Sequence, residues 1–506
     1  MNRKDRAVRI SLPKPVTITA AITCMLASCA HAAMTISNAK TKNVSCAGGV
    51  CTPTGGNANL NVGELQTMLA SFDVTVKSTA GTPTLGVLDA VTWASTHRLT
   101  LDAYQFIHVR APVIVEGVAG LTLITNDGGS GGDYIFESGG YANFWDLASS
   151  LVINGHSYTL VGDVKTLAND ILTNPQGSYA LAKSYDASAD GSYTDVPIRS
   201  FVGTLEGLGN EIRNLTVRVR RRTGPSVGLF STLYSPATVR DIALGHVDIS
   251  TAWGGFAGAL AGYNESGTIL HTSASGTVTS KGKDSSAGGL VGLNKGEIGD
   301  SSAAVTVYAA HAGGLVGTNY GEIDFCRAAG NVSSLHDAGG LVGKTLGTGR
   351  IFQSYAAGTS TATEESARAG GLVGYNDQGS IIQSYATGPV TGSVALTEDG
   401  GLVGLNKGGI QQSYSTGLVS VVYPPVGGGL IGADHARTSV SYWDFDTSGI
   451  TNPGDGAGSP YNDPGIIGLT DAQLKSALPA GFDPKIWGQN ASINNGWPYL
   501  LANPPQ

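Results

Sequence analysis

The 506-residue chain carries 73 glycines, and only 13% of its residues are charged, against about 25% in an average protein. Glycine without a three-residue period excludes collagen, and low charge beside 41% hydrophobic residues excludes a disordered chain. A net charge of −8 gives no general attraction for nucleic acid or an anionic membrane.

Residues 1–32 read as an export signal. Arg3, Lys4, Arg6, Arg9 and Lys14 form a basic start, and the apolar run over 16–26 is too short to span a bilayer. Ala30-His31-Ala32 offers a simple cleavage site, the preferred reading. Leu26-Ala27-Ser28-Cys29 resembles a lipobox, so lipidation at Cys29 is the alternative. The expected location is secreted or cell-surface, with a periplasmic or lipid-anchored chain as variants. No later stretch is long and apolar enough for a transmembrane helix.

Residues 33–75 are read as an N-terminal cap. Cys46 and Cys51 flank Ala-Gly-Gly-Val, a loop short enough to close into a disulfide in an oxidising compartment. A metal site needs more ligands, and none lie nearby. Residues 60–69 have helical apolar spacing and would cover the open end of a strand stack. Over 76–224, Leu99-Thr100-Leu101, Ile107-His108-Val109, Val113-Ile114-Val115 and Leu121-Thr122-Leu123-Ile124 alternate as short strands. A second helix is expected over 163–172, where one set of coils gives way to the next. Gly128-Gly129-Ser130-Gly131-Gly132-Asp133 matches one copy of a calcium nonapeptide, but calcium rolls share ligands between copies and no second copy follows. It is read as a glycine turn. Gly224-Pro225-Ser226-Val227-Gly228 satisfies G-x-S-x-G without the strand-to-helix context of a nucleophile elbow.

Repetition dominates residues 225–435. Gly-Gly-Leu-Val-Gly or a variant begins at Gly258, Gly288, Gly313, Gly339, Gly370, Gly400 and Gly428, and a weaker copy surrounds Val227. The spacings of 30, 25, 26, 31, 30 and 28 residues suit a solenoid whose loops absorb insertions. Six residues after the first glycine stand Asn264, Asn294, Asn319, Asn376 and Asn406, with Thr345 and Asp434 in two copies. Ile269, Ile298, Ile323, Ile351, Ile381 and Ile410 follow in phase. Stacked strands would superimpose the isoleucines about 4.8 Å apart, and the asparagines are read as a structural amide ladder. Ser354-Tyr355, Ser384-Tyr385 and Ser413-Tyr414 mark a third row, read as a partly buried aromatic stack.

Gly370-Gly371-Leu372-Val373-Gly374-Tyr375-Asn376, followed by Ile381 and Ser384-Tyr385-Ala386-Thr387-Gly388, resembles the GLUG motif. That motif occurs in bacterial surface proteins, including filamentous-haemagglutinin-like adhesins and some immunoglobulin A peptidases. Phe201-Val202-Gly203-Thr204-Leu205, Ser441-Tyr442-Trp443-Asp444 and Trp497-Pro498-Tyr499-Leu500 are similar to the flanking elements of such proteins. The resemblance implies an all-β chain, a right-handed parallel β-helix with short capping helices. Residues 436–506 would supply a last coil and a cap, with a helix over 470–478 opened by Thr470. About 13 coils and a rod on the order of 60 Å follow from the strand spacing.

No catalytic, cofactor-binding or metal residues are assigned, and no cofactor is expected. The peptidases that share the repeat carry H-E-x-x-H, a pattern none of the nine histidines forms. Asp444 with Asp446, and Asp127 with Asp133, are the nearest approach to paired carboxylates. Arg218, Arg220, Arg221 and Arg222 make a basic patch read as a solvated strand face, with docking of an anionic glycan as its functional alternative. The expected function is an adhesin-like scaffold toward glycans or other cell-surface molecules. A β-helical polysaccharide lyase or hydrolase and a structural surface lipoprotein are its rivals.

Overall fold

A computed structural model describes residues 33–129, 131–220, 226–392, 397–421, 427–459 and 463–505. The export signal, Arg221 and Arg222 lie outside them. The fold is a β-solenoid of about 14 parallel turns, in line with the expected all-β class.

Each repeat coil is built from short strands whose alternate side chains face inward. Ser286–Gly288, Val291–Asn294 and Glu297–Gly299 form one such coil before the chain enters the long strand Ser302–Gly313. Like stacks on like: Val291, Val316, Val342, Val373, Val403 and Ile431 are successive register partners. The predicted isoleucines form a second row from Ile269 to Ile410, all at most 2% exposed. Differences in coil length are taken up mainly after the isoleucine row. Ser302–Gly313 is continuous, whereas the longer coil above splits into Ser360–Ala362 and Arg368–Gly370, and both pieces pair with Val332–Gly339.

Two corners explain the motif. A Cβ on the second glycine would sit on the carbonyl of the coil above: 2.1 Å at Gly340, 2.1 Å at Gly371. Only glycine lets the coils close to strand spacing there. The other corner places one residue per coil at positive φ: Asp241, His271, Asp300, Phe325, Gln353, Gln383, Gln412 and Val440, all between +45° and +56°. None is glycine, and stacked side chains stabilise the row. Gln353 Nε2 donates to Gln383 Oε1 at 2.9 Å, and Gln383 Nε2 to Gln412 Oε1 at 2.9 Å.

The coils do not form one uninterrupted rod. Strand Ser150–Ile153 pairs antiparallel with His156–Val161, which continues parallel into Ser178–Leu181, so strand direction reverses at this hairpin. The cores lie on opposite faces of the shared sheet. Leu151 and Leu160 belong to the first core, and Val161, Leu181 and Leu205 belong to the second. Each stack has a helical cover. α1 (Val62–Leu69), capped by Asn61, buries Val62, Leu65 and Leu69, and Gln66 donates to the carbonyl of Thr92 at 2.8 Å. α2 (Val164–Thr173), capped by Asp163, buries Val164, Leu167 and Ile171 in the second core. α3 (Asp471–Ser476) opens with a capping box at Thr470.

Beyond α3 the chain turns back along the side of the stack. Phe482, Trp487 and Leu500 cover Tyr355, Tyr385, Tyr414 and Tyr442. The rings of Tyr355, Tyr385 and Tyr414 stack at 4.8 and 5.0 Å, and Asn503 reaches the carbonyl of Cys326. Tyr385 and Tyr414 are fully buried.

Candidate functional site

The asparagine row forms hydrogen-bonded ladders. Asn264 Nδ2 donates to Asn294 Oδ1 at 2.8 Å, and Asn294 Nδ2 to Asn319 Oδ1 at 2.9 Å. Asn376 donates to Asn406, and Asn406 to Asp434, at 2.8 and 2.9 Å. Thr345, with no amide to pass on, interrupts the row and leaves its own Oγ1 and Asn376 Oδ1 without partners. These amides are 0% exposed. Cys46 and Cys51 are disulfide-bonded across the hairpin Val44–Ala47/Val50–Pro53. Of the arginine patch, Arg218 is ion-paired with Asp248 at 2.5 Å and Arg220 is exposed at a strand end. The carboxylates that sequence placed in pairs are engaged separately. Asp444 is a buried turn former accepting from the amides of Asp446 and Thr447, and Asp127 pairs with Lys77.

The chemistry gathers at a position sequence reading passed over, the outward side of the Gly-Gly corner. There the chain folds back so that a residue two before the first glycine faces one five after it. In successive coils the pairs are Phe256/Tyr263, Ser286/Leu293, His311/Thr318, Asp337/Lys344, Arg368/Tyr375 and Glu398/Leu405. The first members are register partners along one wall, the second along the other. Contacts cross the corner: Phe256 to Tyr263 at 6.2 Å between ring centroids, Ser286 Oγ to Thr318 Oγ1 at 2.8 Å, and the Arg368 guanidinium 4.4 Å over the Tyr375 ring. The result is a row of paired side chains running across the coils, with Ser286, Leu293, Thr318, Asp337 and Leu405 buried in it.

Asp337, 1% exposed, sits at its centre. Its Oδ2 is 2.5 Å from His311 Nδ1 and its Oδ1 is 2.7 Å from Arg368 Nε. Burial pushes the Lys344 ammonium below its ordinary range; Asp337 opposes that, and Arg368 adds to it. Burial raises Glu398, with Arg368, His435 and Lys407 acting against it. Such an arrangement can position a base beside a cationic pair.

Against this geometry stand the comparisons. Residues 365–391 match the GLUG motif family. The chain carries the GLUG motif. Halomucin of Haloquadratum walsbyi (strain DSM 16790 / HBSQ001) is 31% identical over 198 residues, 36% of this chain and 2% of halomucin. The chain thus spans a small fraction of that relative. Among solved structures, a candidate immunoglobulin A1 protease from Bacteroides ovatus aligns over 68% of this chain and 93% of its own, at 18% identity and a TM-score of 0.39. An IgA1 protease aligns over 54% of this chain and 20% of its own, at 19% identity and a TM-score of 0.31. Neither likeness is close enough to bear on activity.

A second charged cluster joins the two stacks. Arg240 binds Asp133 through Nη1 at 3.0 Å and Nη2 at 3.3 Å, and Asp241 through Nε at 2.6 Å, and lies 4.1 Å over the Tyr134 ring. Tyr134 Oη donates to Glu206 at 2.6 Å. Burial drives Glu206 up, with Asp241 adding to the shift, so that it favours the protonated acid. Burial works against the charge on Asp241 as well, but Arg240 and His271 hold it below the usual range. Asp133, the acid of the calcium-like turn, is therefore committed to a guanidinium. Among the described residues no group of three His, Cys, Asp or Glu side chains is placed to hold a metal ion, and no helix is long and apolar enough to cross a membrane. A hollow of about 370 Å³ is bounded by Glu211, Arg327, Tyr355 and Pro505 and floored by small residues, among them Ser273, Ser275 and Ser302.

Proposed function

We propose that the chain is an exported, adhesin-like β-solenoid, secreted or held at the cell surface, that works as a binding or display scaffold toward glycans. The observation that carries this reading is the row of paired residues: a core and the Gly-Gly corner repeat almost unchanged, while the paired outward residues vary from coil to coil. That division suits recognition of an extended ligand through many small contacts. The disulfide-bonded hairpin fits an oxidising compartment, and the basic, apolar N-terminal segment fits export. In this reading 33–75 is a cap, 76–224 the first coils, 225–435 the GLUG coils and 436–506 the closing coil and cap. Arg220, exposed beside the Arg218–Asp248 pair, is a secondary glycan contact. The test is a panel of acidic and neutral polysaccharides against the full chain, with protease shaving of intact cells for location. Binding without turnover supports a scaffold, and depolymerisation overturns it.

One observation favours a second reading, a β-helical lyase or hydrolase. His311 is backed by Asp337 through Nδ1, the geometry in which an imidazole acts as a base. Its test is loss of turnover in His311→Gln.

A further inference from the structure

One row of the sheet changes character part-way along the stack. Its register partners in successive coils are Glu211, Ala243, Ser273, Ser302, Arg327 and Tyr355, and the row goes on as Tyr385, Tyr414 and Tyr442. The C-terminal segment packs over the tyrosines and reaches Pro505, which borders the hollow of about 370 Å³ over the earlier part of the row. That volume is in the range of small-ligand clefts, roughly 300 to 1,000 Å³. The hollow is open to solvent, since Ala304, Ala329 and Ala357 on its floor are exposed. Its polar groups are uncommitted. Among the described residues the Arg327 guanidinium and the Ser273 and Ser302 hydroxyls make no hydrogen bond or ion pair, and the Glu211 carboxylate meets only Arg213, at 3.3 Å. One cation and one carboxylate line the hollow, so the charges of its lining balance.

We propose that this hollow binds a neutral polysaccharide strand laid across the coils. The inference rests on the glycan-binding reading and names the class of glycan and its place. Balanced charge in the lining favours a ligand without charge of its own. A sugar hydroxyl both donates and accepts, which suits a donor-only guanidinium at one end, an acceptor carboxylate at the other and serine hydroxyls between them. The planar fork of Arg327 takes two adjacent hydroxyls at once. The alanines offer a flat apolar floor to the C–H face of a pyranose ring. Spacing separates a glycan from a peptide. Each ring of an extended polysaccharide spans roughly one coil, about 4.8 Å, whereas an extended peptide advances about 3.3 Å per residue and falls out of step with the coils.

The test is isothermal titration of the full chain with cellohexaose, mannohexaose, hexagalacturonate and a synthetic peptide of residues 497–506. Ala304→Tyr fills the hollow from an exposed strand position, and Arg327→Gln removes the fork. Both are compared with Thr279→Tyr, the same added ring on the same sheet outside the hollow, and circular dichroism verifies that each variant folds. The expected result is binding of one or both neutral hexasaccharides, weakened tenfold or more in Ala304→Tyr, severalfold in Arg327→Gln, and unchanged in Thr279→Tyr. Neutral hexasaccharides that bind equally to wild type and Ala304→Tyr overturn the hollow as the site and leave the scaffold reading standing. Binding of hexagalacturonate alone overturns the neutral class and also leaves that reading standing. Binding of the peptide alone, or of none of the four probes, overturns both.

Discussion

Asp399 offers a direct measure of what the solenoid core tolerates. It occupies an inward position held by Ala257, Ala287, Ala312, Ala338 and Ala369 in the preceding coils. The residue is 0% exposed. Oδ2 accepts from Thr397 Oγ1 at 2.7 Å, and Oδ1 has no partner. Burial raises its pKa from 3.8 to about 6. At 1.36 kcal/mol per unit, a shift of this size disfavours the folded state by about 3 kcal/mol once the group is ionised. Because the folded value is raised, the native state binds the proton more tightly than the unfolded chain. Its contribution is whole below pH 3.8 and is lost as pH rises through 6. Asp399→Ala removes that loss, offset by about 1 kcal/mol for the small void and a similar amount for the lost hydrogen bond from Thr397 to Asp399. The variant should therefore be more stable than wild type by about 1 kcal/mol at pH 8, and less stable by about 2 kcal/mol near pH 4. Guanidinium unfolding followed by tryptophan fluorescence across that range reads the crossover. A difference between the two proteins that does not change with pH would refute the reasoning.

Asn294→Leu should cost about 2 to 3 kcal/mol in the same unfolding assay, since Asn264 and Asn319 each lose a buried amide partner; a loss below 0.5 kcal/mol would show the ladder to be ornamental. Trp487→Ala strips the ring packed against Tyr385 and Tyr414, and should cost about 3 to 5 kcal/mol and expose the C-terminal segment to limited proteolysis, read by mass spectrometry of the released fragments. Arg240→Ala leaves Asp133 without its cation and Asp241 with His271 alone at the junction of the two stacks, and a destabilisation of about 3 to 5 kcal/mol is expected, with hydrogen exchange rising first around residues 133–136.

The repeat, the isoleucine row and the asparagine row were legible because parallel stacking forces inward and corner residues into fixed phase, and fixed phase survives in one sequence. The helices were legible for local reasons: Asn61, Asp163 and Thr470 cap them from adjacent positions. The paired row across the Gly-Gly corner was not, because its members are positions whose residue types change from coil to coil; only their constant separation of seven could have revealed them. The positive-φ corner was hidden for a similar reason, since aspartate, histidine, phenylalanine, glutamine and valine share no side-chain chemistry. The tyrosines were expected to be partly buried, whereas the returning C-terminal segment buries Tyr385 and Tyr414 completely. That cover depends on contacts such as Asn503 with Cys326, 177 residues apart, and no local pattern reports them. The reversal at the hairpin of residues 150–161 likewise depends on which face of a shared sheet each core adopts.

The pairing across the Gly-Gly corner turns every coil into a two-letter slot. Both letters point away from the isoleucines, the amide ladder and the glycine that touches the next coil, so rewriting a slot leaves the grammar of the fold intact. Phe256/Tyr263, Ser286/Leu293, His311/Thr318, Asp337/Lys344 and Arg368/Tyr375 are then successive words in one line of text. A lineage can edit such a line word by word, or lengthen it by copying a coil, while the spine on which it is written stays the same.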